Sequence, residues 1–210
     1  MSTGFIAAAA LLSFAPVASA QATDKKSDQF RKEFLEKFQR NSLSTAPGDA
    51  MLLRILVESS RAKRGIELGA AAGFGAINMG IAFERNGGQL TSMEIDPRRA
   101  QETRANIEKV GLEKTCTVAE GDALKLLPQV TGDVDFLFID ANKPDYLKYL
   151  KAIEPKLKKG ALVVADNVIV SARAMADYLD YVQTSPNYDT VIIRSSMEKN
   201  DGMAVSYKVR

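Results

Sequence analysis

Hydrophobic and polar positions alternate between two periods along most of this chain. Phe30, Phe34 and Phe38 recur every four residues, with lysine and glutamate between them, which predicts an amphipathic helix over Ser27 to Arg40. A Pro/Gly-containing loop follows from Asn41. A second helix is predicted over roughly Asp49 to Ala62, with Met51, Leu52, Ile55 and Leu56 on its apolar side. Short apolar runs then alternate with helical stretches. Strands are predicted at Ile66–Leu68, Gln89–Ile95, Cys116–Glu120, Val134–Ile139 and Ala161–Ala165. Helices are predicted at Gly73–Arg85, after Asp96, at Ala123–Leu127, at Pro144–Lys158 and at Ala172–Gln183. Asp96 reads as a helix cap, Pro97 as a first-turn residue and Gly111 as a stop. Two consecutive strands, Thr190–Arg194 and Met203–Tyr207, close the chain as an antiparallel hairpin at one edge. This order predicts a doubly wound α/β domain: a seven-stranded, mostly parallel sheet with an antiparallel last strand and helices on both faces. A ligand is expected beyond the carboxyl ends of the strands.

The first 23 residues stand apart. They carry no charged side chain, and Phe5 to Ala15 is apolar except for Ser13. Pro16 and Ala18-Ser19-Ala20 follow, as in an export signal with an A-x-A cleavage site. On this reading residues 1–20 are a signal peptide, and 21–210 are one domain with an N-terminal helical extension over 21–62. The mature protein is then exported to the periplasm or beyond and needs no membrane. If the segment is not a working signal, the protein is cytoplasmic.

Composition narrows the chemistry. The 210 residues include no histidine and one cysteine, Cys116. That removes Ser-His-Asp and Cys-His catalysis, His-ligated zinc and any intramolecular disulfide. Acid–base work falls to Lys, Asp, Glu or Tyr, and any metal must sit among oxygen ligands as Mg²⁺, Mn²⁺ or Ca²⁺. The 28 basic and 26 acidic residues give a net charge of +2, which does not point to a nucleic-acid partner.

The strand ends carry the candidate site. The first runs into Gly69-Ala70-Ala71-Ala72-Gly73-Phe74-Gly75, whose spacing departs from the dinucleotide G-x-G-x-x-G fingerprint. Glu67, an acid inside an apolar strand, demands a partner. Glu94 ends the second strand 19 residues after Gly75, where an acid accepts hydrogen bonds from ribose hydroxyls. Gly121-Asp122-Ala123 places a small polar turn where an adenine edge would lie. The fourth strand ends in Asp140-Ala141-Asn142-Lys143 and the fifth in Asp166-Asn167. Two carboxylates and an amide on neighbouring strands make a hard, oxygen-only ligand set suited to Mg²⁺.

These motifs, with Leu43-Ser44-Thr45 and Asp201-Gly202, closely resemble those of the cation-dependent O-methyltransferases. That group contains catechol O-methyltransferase and the caffeoyl-CoA enzymes, and the resemblance spans about Leu43 to the C-terminus. It implies a class I S-adenosylmethionine fold, Rossmann-like, with Glu94 on the cofactor ribose and Glu67 near its amine. Thr45, Gly69, Ala70, Gly73, Gly75, Asp122, Ala123 and Asp140 would complete the cofactor site. Asp140, Asp166 and Asn167 would hold the cation, and Lys143 would be the general base. Glu198 matches a glutamate that binds the second hydroxyl in the catechol enzymes, so Lys143, Asn167 and Glu198 would face a catechol-type small molecule. Two positions depart from the pattern: Gly75 replaces a frequent Ser, and Asn142 replaces a frequent Asp.

The implied chemistry works without histidine. A phenol of pKa near 10 is ionised to about one part in a thousand at pH 7, and moving that pKa by three units takes roughly 4 kcal/mol. A divalent cation on the oxygen supplies an effect of that order. Three other readings remain open at this point. They are a NAD-dependent reductase on a similar sheet, a nucleic-acid amino-methyltransferase, and an exported adenosine-binding domain without catalysis. The Phe30/Phe34/Phe38 face packs either on its own domain or on a second copy in a homodimer.

Overall fold

A computed structural model describes Met1, Asp24 and residues 27–210. The export-signal reading of residues 1–20 therefore lies outside the described residues, apart from Met1. Among the described residues no helix is long and apolar enough to cross a membrane.

The chain forms α1 (Asp28–Glu36), α2 (Pro47–Ser59), β1 (Arg64–Leu68), α3 (Phe74–Asn86), β2 (Gln89–Glu94), α4 (Pro97–Lys109) and β3 (Cys116–Glu120). It continues through α5 (Ala123–Leu126), β4 (Val134–Ile139), α6 (Tyr146–Ile153), β5 (Leu157–Ala165), α7 (Ala176–Thr184), β6 (Tyr188–Ile193) and β7 (Met203–Lys208). The seven strands form one sheet in the order β3-β2-β1-β4-β5-β7-β6. Pairing is parallel from β3 to β5, and β7 runs antiparallel between β5 and β6. The predicted fold class is the one observed.

Strand alternation divides the core. In β4, Leu137 and Ile139 pack with Tyr146, Tyr149 and Tyr178 on one face. Phe136 and Phe138 point the other way, onto Leu53, Val57 and Phe83. A centrally buried parallel strand is apolar on both faces for this reason. The phenylalanine face of α1 packs on its own domain, and just beyond the helix Phe38 meets Phe74 at a ring-centroid distance of 5.2 Å. Arg31 fastens that helix. It is buried, donates from Nε to the Val110 carbonyl at 3.0 Å and pairs with Glu84 at 2.6 Å.

Several predicted boundaries are corrected. The first helix stops at Glu36 rather than Arg40, and the second begins at Pro47, two residues before Asp49. The helix predicted to reach Lys158 stops at Ile153. Pro155, which has no N–H to continue the ladder, sits in a 3₁₀ turn over Glu154–Lys156. Strand β5 accordingly starts at Leu157, not Ala161, and Lys158 pairs with Asp135 across to β4 at 3.0 Å. The helix predicted from Ala172 opens as a 3₁₀ turn over Ala172–Met175. Asp96 caps α4 as expected, accepting from the Arg98 N–H at 2.9 Å, and Gly111 beyond its end has a φ of 65°.

Strand order reverses between β1 and β4, and there the backbone crowds. Gly69 has a φ of 88°, and a Cβ on it would overlap the Asp140 carbonyl oxygen at the end of β4. Gly87 has a φ of 66° but open space around it, with only Lys63 Nζ nearby at 3.8 Å. Gly87→Ala is expected to cost about 1–2 kcal/mol, the penalty of the left-handed conformation. Gly69→Ala adds a backbone collision and should cost a further ~1–3 kcal/mol. Urea midpoints of the two variants check this ranking, and equal losses would contradict it.

Candidate active site

At the carboxyl ends of β1, β2, β4 and β5 lies a cavity of about 430 Å³. A crevice at the point where strand order reverses is where open α/β sheets bind ligands. Gly69, Glu94, Asp122, Ala123, Asp140, Lys143 and Asn167 line it. The structure thus brings together the predicted ribose acid, adenine turn, base and two of the three predicted cation ligands. Asp166, the third, is fully buried directly beneath, at the end of β5. Leu43 and Ile95 present exposed apolar surface to the same cavity.

Glu94 is positioned by the turn it follows and by the loop it faces. Its Oε2 accepts from the Ala70 and Ala71 N–H groups at 3.1 and 2.9 Å, and its Oε1 from the Asp96 N–H at 3.0 Å. Each carboxylate oxygen has two acceptor positions, so Oε2 is filled by the loop and Oε1 keeps one position for a ribose hydroxyl. The loop itself is tied down from α4. Thr103 Oγ1 donates to the Ala71 carbonyl and Asn106 Nδ2 to the Ala72 carbonyl, each at 2.9 Å. Sequence reasoning missed both anchors. On a polar helix face they look like ordinary solvent residues.

Glu67 is almost entirely buried and accepts from Ser92 Oγ. Burial pushes its carboxyl up to about 8, with smaller contributions in the same direction from Asp140 and Glu94, while the Ser92 bond opposes. Thr45, also buried, shares its surroundings. A Cβ at Gly75 would stand 2.9 Å from Glu67 Oε1 and 3.0 Å from Thr45 Oγ1. Glycine at this position therefore leaves room between those two polar groups, where a Ser side chain would crowd both. Ala70 and Gly73 shape the loop, with Gly73 at a φ of 92°.

Lys143 Nζ donates to Asp140 Oδ1 at 2.7 Å and to Tyr146 Oη at 2.9 Å. Tyr146 donates onward to the Asp166 carbonyl at 3.2 Å, which links the ends of β4 and β5. Asn167 takes a left-handed backbone, φ 63°, a conformation that asparagine tolerates better than most residues. Its Nδ2 donates to Asp201 Oδ2 at 3.2 Å, which leaves its amide oxygen as the available donor atom. Asp201 also accepts from the Ile169, Val170 and Gly202 N–H groups at 2.8–3.1 Å. Burial alone would raise its pKa, but these backbone bonds prevail and hold it below the usual range.

The donor atoms fit a hard divalent cation: two carboxylates and an amide oxygen. Among the described residues no group of three or more Asp, Glu, Cys or His gathers as a metal cage. A cation here would accordingly complete its shell with water or substrate. One predicted substrate position turns elsewhere. Glu198 is exposed and pairs with Arg40 at 3.0 Å, away from the cavity lining. Asn142, which stands where relatives often carry Asp, is exposed at the cavity rim and donates to Asp145.

In place of Glu198 the adjoining Lys199 enters the site. Its Nζ lies 3.0 Å from Asp166 Oδ2 and 3.7 Å from Asp49 Oδ2. Burial would lower the pKa of Lys199, but Asp166, Asp140 and Asp49 outweigh it and raise it, so the ammonium stays charged. Glu198-Lys199-Asn200 has the composition of a solvated loop, and only the tertiary fold marks its lysine.

Fold and site together define an O-methyltransferase arrangement. The family described as O-methyltransferase matches residues 18–198, and the chain belongs to that family. It is 35% identical over 138 residues to a catechol O-methyltransferase of Niastella koreensis, covering 64% of this chain and 62% of that protein. It is 28% identical over 151 residues to caffeoyl-CoA O-methyltransferase 2 of Petunia hybrida, covering 69% and 62%. The matches span about three fifths of the length of these curated relatives. Among solved structures, an O-methyltransferase from Bacillus cereus in complex with SAH superposes with a TM-score of 0.76 at 20% identity, covering 87% of this chain and 90% of that one. One from Streptomyces achromogenes in complex with SAM gives 0.76 at 21%, covering 87% and 89%. At these identities the likeness is one of fold.

The raised Glu67 pKa has a readable consequence. An acid that holds its proton more tightly when folded stabilises the fold fully below its unfolded pKa, here 4.5. That contribution is lost as pH rises toward about 8. Glu67→Gln removes the titration. Between pH 5 and 8 the wild type should therefore lose stability relative to the variant, measured by urea unfolding. A difference independent of pH would contradict the raised pKa.

Proposed function

We propose that this protein transfers the methyl group of S-adenosylmethionine to a hydroxyl of a catechol-type small molecule, with a divalent cation such as Mg²⁺ as cofactor. The observation that carries the proposal is one shared cavity. It is lined by Glu94, with acceptor capacity to spare, and by the Lys143–Asp140 pair and Asn167, whose neighbour Asp166 is buried. A nucleoside-bearing donor and a hydroxyl acceptor can then meet between them. Membership of the O-methyltransferase family and the named activities of the relatives support the reading and weigh against a dinucleotide reductase.

Each residue then has a role. Glu94 takes the ribose hydroxyls, and Asp122 and Ala123 flank the adenine. Glu67, neutral at pH 7 by its burial, ionises when a cationic amine sits against it. Asp140, Asp166 and Asn167 hold the cation, which when bound supplies positive charge that acidifies a phenolic hydroxyl. Lys143 as the amine takes that hydroxyl's proton at Nζ and becomes the ammonium that Asp140 and Tyr146 hold in place. The methyl carbon gains a bond to the phenolate oxygen and loses its bond to sulfur, whose electron pair leaves it as a neutral thioether. The apolar surface of Leu43 and Ile95 suits flat, hydrophobic groups.

The test is methylation of catechol in the presence of S-adenosylmethionine and Mg²⁺, with and without a chelator. Activity should vanish with chelator, and activity unchanged by it would remove the cation from the account. Lys143→Met should lower kcat at least about 100-fold, the usual scale of general base catalysis, with little change in the Kd for S-adenosylmethionine. Full turnover in that variant would exclude Lys143 as the base.

A further inference from the structure

We propose that Lys199 is a tethered cation that competes with the divalent ion for Asp166, so that this chain sets its own metal affinity through a loop lysine. The proposal rests on the divalent-cation reading above and adds to it a residue with no part in that reading.

The geometry singles out one oxygen. Asp166 is fully buried, and its Oδ1 is engaged by the Asn167 N–H at 2.7 Å. The Lys199 ammonium donates to the other oxygen, Oδ2, at 3.0 Å, so a metal held through Asp166 would share its carboxylate with that ammonium. An ammonium and a dication on one carboxylate repel each other, so binding of one weakens binding of the other.

A second observation supplies the place to which the lysine can withdraw. Asp49, in the first turn of α2, is 1% exposed. Its Oδ1 accepts from Ser195 Oγ, but its Oδ2 is buried without a hydrogen-bond partner. A buried carboxylate oxygen without a hydrogen bond is costly and rare, and this one has only the Lys199 ammonium, 3.7 Å away, to answer its charge. The loop that carries Lys199 is anchored before that contact by Ser195 on Asp49 and Glu198 on Arg40, and after it by Asn200 on Arg194. A small movement of the lysine tip, without displacement of the loop, takes the ammonium from Asp166 to Asp49. Asp49 thus keeps the charge paired while Asp166 is released to a metal.

The experiment is isothermal titration of Mn²⁺ alone into the full chain and three variants. Lys199→Met and Lys199→Gln remove the charge, the second keeping a hydrogen-bond donor for Asp166, so that one serves if the other fails to fold by circular dichroism. Lys199→Arg keeps the charge. The expected result is Mn²⁺ affinity at least tenfold tighter in the neutral variants and within about threefold of wild type in the arginine variant. Neutral variants that bind Mn²⁺ with wild-type affinity overturn the competition and leave the metal reading standing. Absence of Mn²⁺ binding in every form, the neutral variants included, overturns the metal reading and this proposal with it.

Discussion

A carboxylate cannot be buried alone, and the carboxyl edge of this sheet buries several. Glu67, Glu94, Asp49, Asp166 and Asp201 are all less than a tenth exposed, and Asp140 stands close by. Everything around them answers the cost of desolvating negative charge. Glu94 and Asp201 are paid in backbone N–H groups, which fix the loops they accept from. Glu67 keeps its proton to unusually high pH. Asp140, Asp166 and Asp49 are met by two ammonium groups, Lys143 and Lys199. The uneven solutions divide the cavity into an end that accepts hydrogen bonds and an end that attracts cations.

The scaffold creates that division through topology. Reversal of strand order between β1 and β4 opens the crevice, and the absence of a side chain at Gly69 lets the two strand ends close on each other. Helix α4 stiffens the loop after β1 through Thr103 and Asn106. Helix α2 and the loop between β6 and β7 meet over the other end through Asp49 and Ser195. The Glu94 end is thus built from short βα turns on the sheet. The Asp166 end depends on a longer irregular segment held by Ser195, Glu198 and Lys199.

Much of this was legible in the sequence because its signals are local. Strand ends followed by Gly, Asp or Asn, the Asp96-Pro97 cap and the apolar runs of β4 and β5 declare themselves within a few residues. What stayed hidden needs the third dimension. Arg31 sits in a helix that reads as amphipathic and solvated, yet it is buried against Val110 and Glu84. Asp49 looks like a first-turn acid and is a buried counter-charge. Glu198, expected at the substrate, is drawn outward by Arg40, while the adjoining Lys199 is drawn inward by Asp166. A Lys/Glu-rich loop carries no periodicity to show which of its charges will be buried.

The central claim is that one cavity seats a methyl donor and a divalent cation side by side. The most direct measurement is the anomalous scattering of manganese in a crystal grown with Mn²⁺ and S-adenosylhomocysteine. The account predicts a single strong peak bounded by Asp140, Asp166 and Asn167, with the ribose on Glu94 in the same cavity. A manganese peak remote from those three residues, or a nucleoside bound elsewhere, would contradict it.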